Sequence, residues 1–344
     1  MNSRERVMRA VEFEGPDRVP TMHQVFPGAF KAHGDKLRKI LRQYPDDFVW
    51  ESVFGMSHVD PRYRKGTFVD EWGCVWENRL EGVSGLVVQN PLKDADSLDS
   101  LVVPDPFEVC PGGIDLFDKI GKALKNAQEE KYSQVDYLCL FERMQWLRGY
   151  VKLMTDFLAN PSFVENLISK IVGYNLERIK RWNEMEVDAV YFGDDWGTQK
   201  GLMISPATWR KFFKPAYEEM FDLVHKGGKH VSFHTDGYTL DIIPDLIEIG
   251  ADILNVQSSI MGNKNLGEKF GGKVCFRSDL DRQRILPFGT PGAVRLHVME
   301  IYEAFAKENG GLIAAGEIIQ DVPLDNIVAM YEAFKEFAYY HVES

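Results

Sequence analysis

A chain of 344 residues, 44% of them hydrophobic, can bury a large core, either as two small domains or as one α/β barrel with additions. Its formal charge of −12 argues against nucleic acid or an anionic membrane surface as a partner, because both demand a basic face; small molecules or another protein fit better. The charged opening, the lack of a bilayer-length apolar run, and four scattered cysteines without a CxxC pair predict a soluble cytoplasmic protein with reduced thiols.

Taken in order, residues 2–13 predict a short helix with Ser3 as its cap, and Asp17 to Pro20 turn the chain into a first strand at Thr21-Met22-His23-Gln24. A helix over 35–43 and a second strand over Phe48 to Phe54 follow. Residues 66–92 are strand-like and turn-rich, with a hairpin around Asp70-Glu71-Trp72-Gly73, so 66–113 is expected to decorate the main fold. After a helix near 114–130 the chain alternates. Apolar runs at 137–141, 189–192, 231–233, 252–256, 273–276 and 312–315 are separated by helical patterns over 145–186, 206–226, 240–249, 290–308 and 324–340. Strands alternating with helices imply parallel βαβ units. With the runs near 20 and 50 the strands number about eight, so we expect the whole of 1–344 to form one (β/α)8 TIM barrel. No dinucleotide fingerprint or P-loop supports a doubly wound alternative.

A barrel requires the residues after each strand to converge on one mouth. Here they are His23-Gln24, Glu142-Arg143, Asp194-Asp195-Trp196, His234-Thr235-Asp236, Gln257, Ser278-Asp279-Leu280-Asp281 and Glu317. Any one could be a helix cap or a loop hydrogen bond; Asp194 and Asp195 could cap a helix or hold a substrate, and His23 could be a hydrogen-bonded core histidine. His234 and Asp236 stand two apart on an extended segment, so imidazole and carboxylate point the same way. That pair suits a metal ion, with Cys275 or Glu317 as a third ligand, or else a metal-free polar pocket. Contacts to a ligand are expected from Asp195, Trp196, Gln199, Gln257, Asp279 and Asp281.

Six stretches carry a likeness that spans most of the chain in a fixed order: RERVMRAVEFEGPDRVP at the start, DEWG at 70–73, GDDWGTQKGLMISPATWRKFFKPAYEEM at 193–220, HTDG at 234–237, SDLDRQRILPFGTP at 278–291 and GGLIAAGEIIQDVPLDN at 310–326. Together they resemble the uroporphyrinogen decarboxylase superfamily, which implies a (β/α)8 barrel with its active site at the carboxyl mouth. True decarboxylases of that superfamily carry an arginine-bearing segment after the first strand to neutralise porphyrinogen carboxylates. This chain reads Met22-His23-Gln24-Val25-Phe26-Pro27-Gly28 there, and its mouth is acidic, which disfavours a polycarboxylate. The other branch comprises methyltransferases that work with a corrinoid protein, and its coenzyme M enzymes hold zinc with an HxC pair and a later cysteine. Here Asp236 stands in place of the first cysteine, and the later position falls at Gly316, beside Glu317.

The resemblance therefore implies a corrinoid-dependent methyltransferase of O-demethylase type, acting on a methoxy or similar group. Zn²⁺ would sit on His234 and Asp236 with Glu317 or Cys275, while Asp194, Glu142 and His23 would position substrate and deliver a proton. A corrinoid (cobalamin) carrier protein is the implied partner, and aromatic-rich helices leave a homodimer open. The alternatives are a uroporphyrinogen decarboxylase-type carboxy-lyase and a non-catalytic small-molecule-binding barrel.

Overall fold

A computed structural model describes residues 1–49, 60–107, 116–127, 130–306 and 309–339. A three-stranded antiparallel meander comes first, made of β1 (Gly66–Val69), β2 (Val75–Asn78) and β3 (Leu86–Gln89). A parallel sheet then runs in strict chain order through β4 (Gln134–Leu138), β5 (Ala189–Gly193), β6 (His230–Thr235), β7 (Ile253–Val256), β8 (Cys275–Arg277) and β9 (Leu312–Ile313). Two short extended segments close it. Thr21 and Val25 bridge in parallel to Ala314 and Ile318 beyond β9, and Phe48 bridges to Tyr132 before β4. The backbone N–H of Asp47 donates to the Thr21 carbonyl at 2.9 Å, so the ring is continuous. Eight extended segments in a ring with helices outside make the (β/α)8 barrel expected from the alternation.

Two apolar compartments follow from the pleat, since successive side chains point to opposite faces of a strand. Met22, Phe48, Tyr132, Ala189, Ile253, Cys275, Ile313 and Ala315 fill the inside of the barrel together with Val7 and Val11 of the helix Ser3–Val11, which therefore lies across its amino-terminal end. Val190, Phe192, Val231, Phe233, Leu254, Val256 and Phe276 face outward against the helices. An ion-pair cluster ties the amino-terminal helix down: Asp47, fully buried, accepts from Arg6 Nη1 at 2.8 Å, both Arg18 terminal nitrogens at 2.9 Å, Ser3 Oγ at 2.7 Å and Thr21 N at 2.8 Å.

Several element boundaries differ from the sequence expectation. Asn2, not Ser3, caps the first helix, accepting from Glu5 N at 2.8 Å. The helix expected over 35–43 is the second of two, separated by a kink at Gly34 (φ +54°) from a first that begins at Pro27, where proline's fixed φ suits the first turn; the second ends at Leu41. Most of the second expected strand, from 50 on, lies outside the described residues. The strand expected at 137–141 sits three residues earlier, as Gln134–Leu138, and Phe141 already opens the helix Phe141–Arg148. Its apolar run had mixed strand with helix start. The hairpin is a meander whose organiser is Asp70: its carboxylate accepts from Cys74 N, Trp72 N, Trp76 Nε1 and Arg143 Nη1 at 2.8–3.1 Å. No helix among the described residues is long and apolar enough to cross a membrane.

Candidate active site

Strand parity decides which polar residues reach the mouth. Ala189, Ile253, Cys275 and Ile313 point inward, so their two-residue successors continue inward toward the carboxyl ends. These are Tyr191, Gly193 and Asp195; Asn255 and Gln257; Arg277 and Asp279; Ala315 and Glu317. On β6 the outward set Val231, Phe233 leaves His230, Ser232 and His234 facing in, and Asp236 continues that row.

Three of these residues meet closely. His234 Nε2 lies 3.7 Å from Asp195 Oδ1 and 3.6 Å from Asp236 Oδ1, and one ligand-type atom from each of the three lies within 4.8 Å of the others. The imidazole is oriented from behind. Asn255 Nδ2 donates to the Arg277 carbonyl at 3.1 Å, which fixes the amide's orientation, and Asn255 Oδ1 accepts from Arg277 Nη2 at 2.6 Å and contacts His234 Nδ1 at 2.8 Å. Because Oδ1 can only accept, Nδ1 carries a hydrogen, and in the neutral ring it is therefore Nε2 that presents a lone pair toward the two carboxylates. A histidine so tethered, flanked by two acids, offers donors that could hold a cation.

The loops that bring Asp195 to His234 are held by backbone contact. Gly197 N donates to the Asp236 carbonyl at 3.0 Å, Tyr238 N to the Thr198 carbonyl at 2.7 Å, and Asp236 N to Asp195 Oδ1 at 3.0 Å. Gln257 Oε1 accepts from Gly237 N at 2.8 Å, steadying the same turn. Arg282 enters from the loop after β8: Nη2 pairs with Asp236 Oδ2, and Nη1 with Glu317 Oε2 at 2.6 Å. Burial raises the Asp236 carboxyl, but Arg282, together with the charge His234 carries when its ring is protonated, overcomes it and holds its pKa below the ordinary value. Burial, and then the charge of Asp236, raise that of Asp195. Burial pushes Asp279 up to about 8, against the pull of Arg282.

Glu142 stands in the first turn of its helix, not at a strand end, and accepts from Tyr137 Oη at 2.8 Å. Burial, then Asp195 and Asp194, hold its carboxyl pKa well above the usual range, which favours the protonated form.

Four expected site residues lie elsewhere. Asp194 has outward parity and is fully buried. Its carboxylate accepts from Leu140 N at 2.7 Å, Phe141 N at 2.9 Å, Glu142 N at 2.6 Å and Tyr217 Oη, so it caps the helix Phe141–Arg148. With its oxygens so committed, the grouping of Cys139, Glu142 and Asp194 offers little to a metal. His23 also faces outward, with its ring edge-on to Tyr331 at 5.0 Å. Cys275 packs inside the barrel level with Ile253, two residues below the row of His234 and Asn255, and burial pushes its thiol pKa up. Trp196 is core, stacked on Phe141 at 4.1 Å.

The remaining expectations divide. Glu317 reaches the mouth but is held by Arg282, with Gln24 Nε2 at 3.4 Å. Asp281 Oδ1 accepts from Gln283 N at 3.0 Å and Arg284 N at 2.8 Å, closing its own turn, and Gln199 is exposed at a loop tip. Sequence reasoning passed over Arg282, Asn255, Arg277 and Tyr137. Parity from a known inward neighbour would have found Asn255 and Arg277; Tyr137 turns inward only through the strand irregularity at Asp136 (φ +68°), and Arg282 arrives from a loop by the length of its side chain.

Residues 79–337 match the family model described as uroporphyrinogen decarboxylase (URO-D). Among characterised relatives, the uroporphyrinogen decarboxylase of Christiangramia forsetii is 22% identical over 260 residues, covering 72% of this chain and 71% of that protein. Among solved structures, a methyltransferase from Methanosarcina mazei superposes with a TM-score of 0.74 at 15% identity, covering 98% of this chain and 99% of that one. A B12-independent methionine synthase from Shewanella sp. W3-18-1 gives a TM-score of 0.42 at 13% identity over 64% of each chain. The family match covers most of the chain, including every mouth residue described above except Gln24, and the chain belongs to the uroporphyrinogen decarboxylase family.

Proposed function

We propose that the protein is a methyltransferase that moves a methyl group between a small O-methyl substrate and a corrinoid carried by a partner protein, with Zn²⁺ at Asp195, His234 and Asp236. One observation carries the reading: the His234 Nε2 lone pair lies between two carboxylate oxygens at 3.6 and 3.7 Å, and Asp236 Oδ1 is buried with no hydrogen-bond partner. Tetrahedral zinc with bonds of about 2.0–2.1 Å places its ligand atoms roughly 3.3 Å apart, close to these separations. The donor set therefore fits, with Asp195 taking the place expected of Glu317 or Cys275. When bound, the ion supplies Lewis acidity at the oxygen that leaves the methyl group.

The chain's own residues supply the rest. Asn255 and Arg277 hold the imidazole in one tautomer. Glu142 accepts from Tyr137 at Oε2, which leaves Oε1 to carry the proton that a departing alkoxide needs. Oxygen ligands instead of thiolates make a harder site, which suits an ether oxygen. The fold shared with the Methanosarcina mazei methyltransferase supports this branch of the family, and the acidic chain suits a protein partner over the mouth.

A carboxy-lyase is the second reading, favoured by the family match and by Arg282, a cation in the mouth that could hold a substrate carboxylate. Its charge is already shared between Asp236 and Glu317, so a polycarboxylate would have to compete with both for it. The test is protein purified without chelator, assayed for zinc and for methylation of free cob(I)alamin by a panel of methyl ethers. Less than about a tenth of an equivalent of zinc, with His234→Ala as active as wild type, ends the metal reading. Turnover of a porphyrinogen with release of CO2, and no methylcobalamin, reverses the choice.

A further inference from the structure

The Asp236 carboxylate is used from two sides. Oδ1 faces His234 Nε2, buried and without a hydrogen-bond partner among the described residues; Oδ2 is held by Arg282 Nη2. The guanidinium cannot drift from this position, because its other terminal nitrogen is anchored on Glu317 Oε2 at 2.6 Å, and Glu317 is itself approached by Gln24 Nε2 at 3.4 Å. Three loops, after β6, β8 and β9, are thereby joined through one planar cation.

Carboxylates bind metals through one oxygen or two. An Asp236 free to turn could present both oxygens to a cation at His234, raising the protein atoms on that cation from three to four. A catalytic zinc site keeps three protein ligands and one open position; a fourth protein atom added beside the occupant of that position makes the ion five-coordinate and crowds substrate out of it. We propose that Arg282 is a positioning residue that confines Asp236 to one-oxygen coordination and so preserves the open position for substrate. The inference rests on the metal reading above.

Metal affinity alone does not isolate this role. Removing Arg282 deletes a positive charge beside a dication, which strengthens binding, and frees a ligand, which weakens it. Coordination number separates the two effects. Cobalt(II), titrated into the metal-free full chain, is the probe, because four-coordinate cobalt absorbs visible light far more strongly than five- or six-coordinate cobalt.

Wild type is expected to show the intense four-coordinate bands. In Arg282→Met the intensity per bound cobalt is expected to fall by about a factor of three or more as Asp236 adds its second oxygen. Should that variant not fold, Arg282→Gln keeps a polar donor on a shorter side chain that cannot span both carboxylates, and is read the same way. Glu317→Gln, which only loosens the anchor, should lie between. Variants that bind cobalt with wild-type intensity overturn the role of Arg282 while leaving the metal site standing. Wild-type protein that binds neither cobalt nor zinc overturns the metal reading itself, and this inference with it.

Discussion

Gly197 and Gly237 share a space that admits no side chain on either. A methyl group built on Gly197 would lie 2.6 Å from the carbonyl carbon of Gly237, and one built on Gly237 would overlap the Gly197 backbone. Gly237 also has φ of +83°, where a Cβ is strained whatever the room. This contact is what brings Asp195 alongside His234 and Asp236. Gly237→Ala is expected to part the two loops, lowering zinc affinity at least about tenfold while leaving most of the barrel folded. Competition against a chromophoric chelator, with far-ultraviolet circular dichroism as control, measures it. Wild-type affinity would show that the contact does not position the site.

Asp194 is expected to matter through stability. Asp194→Ala leaves three buried backbone N–H groups and a tyrosine hydroxyl without their acceptor, and should cost about 2–5 kcal/mol in urea denaturation. Turnover by the folded fraction, at a temperature well below its melting point, should stay within about tenfold of wild type, because the side chain does not face the mouth.

Cys275 should be dispensable for metal. Cys275→Ala is expected to retain full zinc occupancy, since the thiol packs among apolar side chains below the His234 row and burial disfavours its thiolate. Loss of zinc in that variant, with the fold intact, would restore the residue to the ligand set.

His23 and Asp46, with His23 Nδ1 3.6 Å from Asp46 Oδ2, should give opposite slopes of stability against pH. Burial raises Asp46 to about 7 from 3.8, so the folded state favours its proton: this contribution is full below pH 3.8 and is lost as pH rises through 7. Burial lowers His23 to about 4 from 6.5, so the folded state favours the neutral ring: this contribution is present above pH 6.5 and is lost as pH falls through 4. Asp46→Asn should therefore lose stability on acidification from pH 6.5 to 4 more steeply than wild type. His23→Phe should gain stability over the same range. Denaturation midpoints at several pH values decide it, and parallel curves for all three proteins would refute the opposition.

Much of the barrel was legible in the sequence because its evidence is periodic. Apolar runs separated by amphipathic stretches specify strand and helix whatever the tertiary detail, and the ring in chain order follows from them. The site was legible only to within one residue. Asp194 and Asp195 are adjacent and chemically identical, and a one-residue change of parity sends one into a helix cap and the other beside His234 and Asp236. Nothing local distinguishes them; the inward position of Ala189, set by packing across the barrel, does. Glu142 was misplaced for a related reason. The run Tyr137 to Phe141 is apolar through both the end of a strand and the start of a helix, and hydrophobicity does not mark the join. Arg282 lay within a motif already noticed, but its partners are 46 and 35 residues distant, and no spacing rule connects them.

The helix across the amino-terminal end of the barrel also sets an order of events during synthesis. Ala10 O accepts from Gly311 N at 2.8 Å, and Asn309 O from Gly15 N at 2.8 Å, while Val7 and Val11 complete an apolar floor that includes Ile313 and Ala315. A ribosome adding about 5–20 residues per second makes the first helix roughly 15–60 s before the strand it rests on. Through that interval Val7 and Val11 have no floor to complete, and the ring cannot shut. Closure must therefore come after the last strand emerges, and a nascent chain stalled before residue 311 should expose its opening segment to proteases or chaperones that the finished barrel excludes.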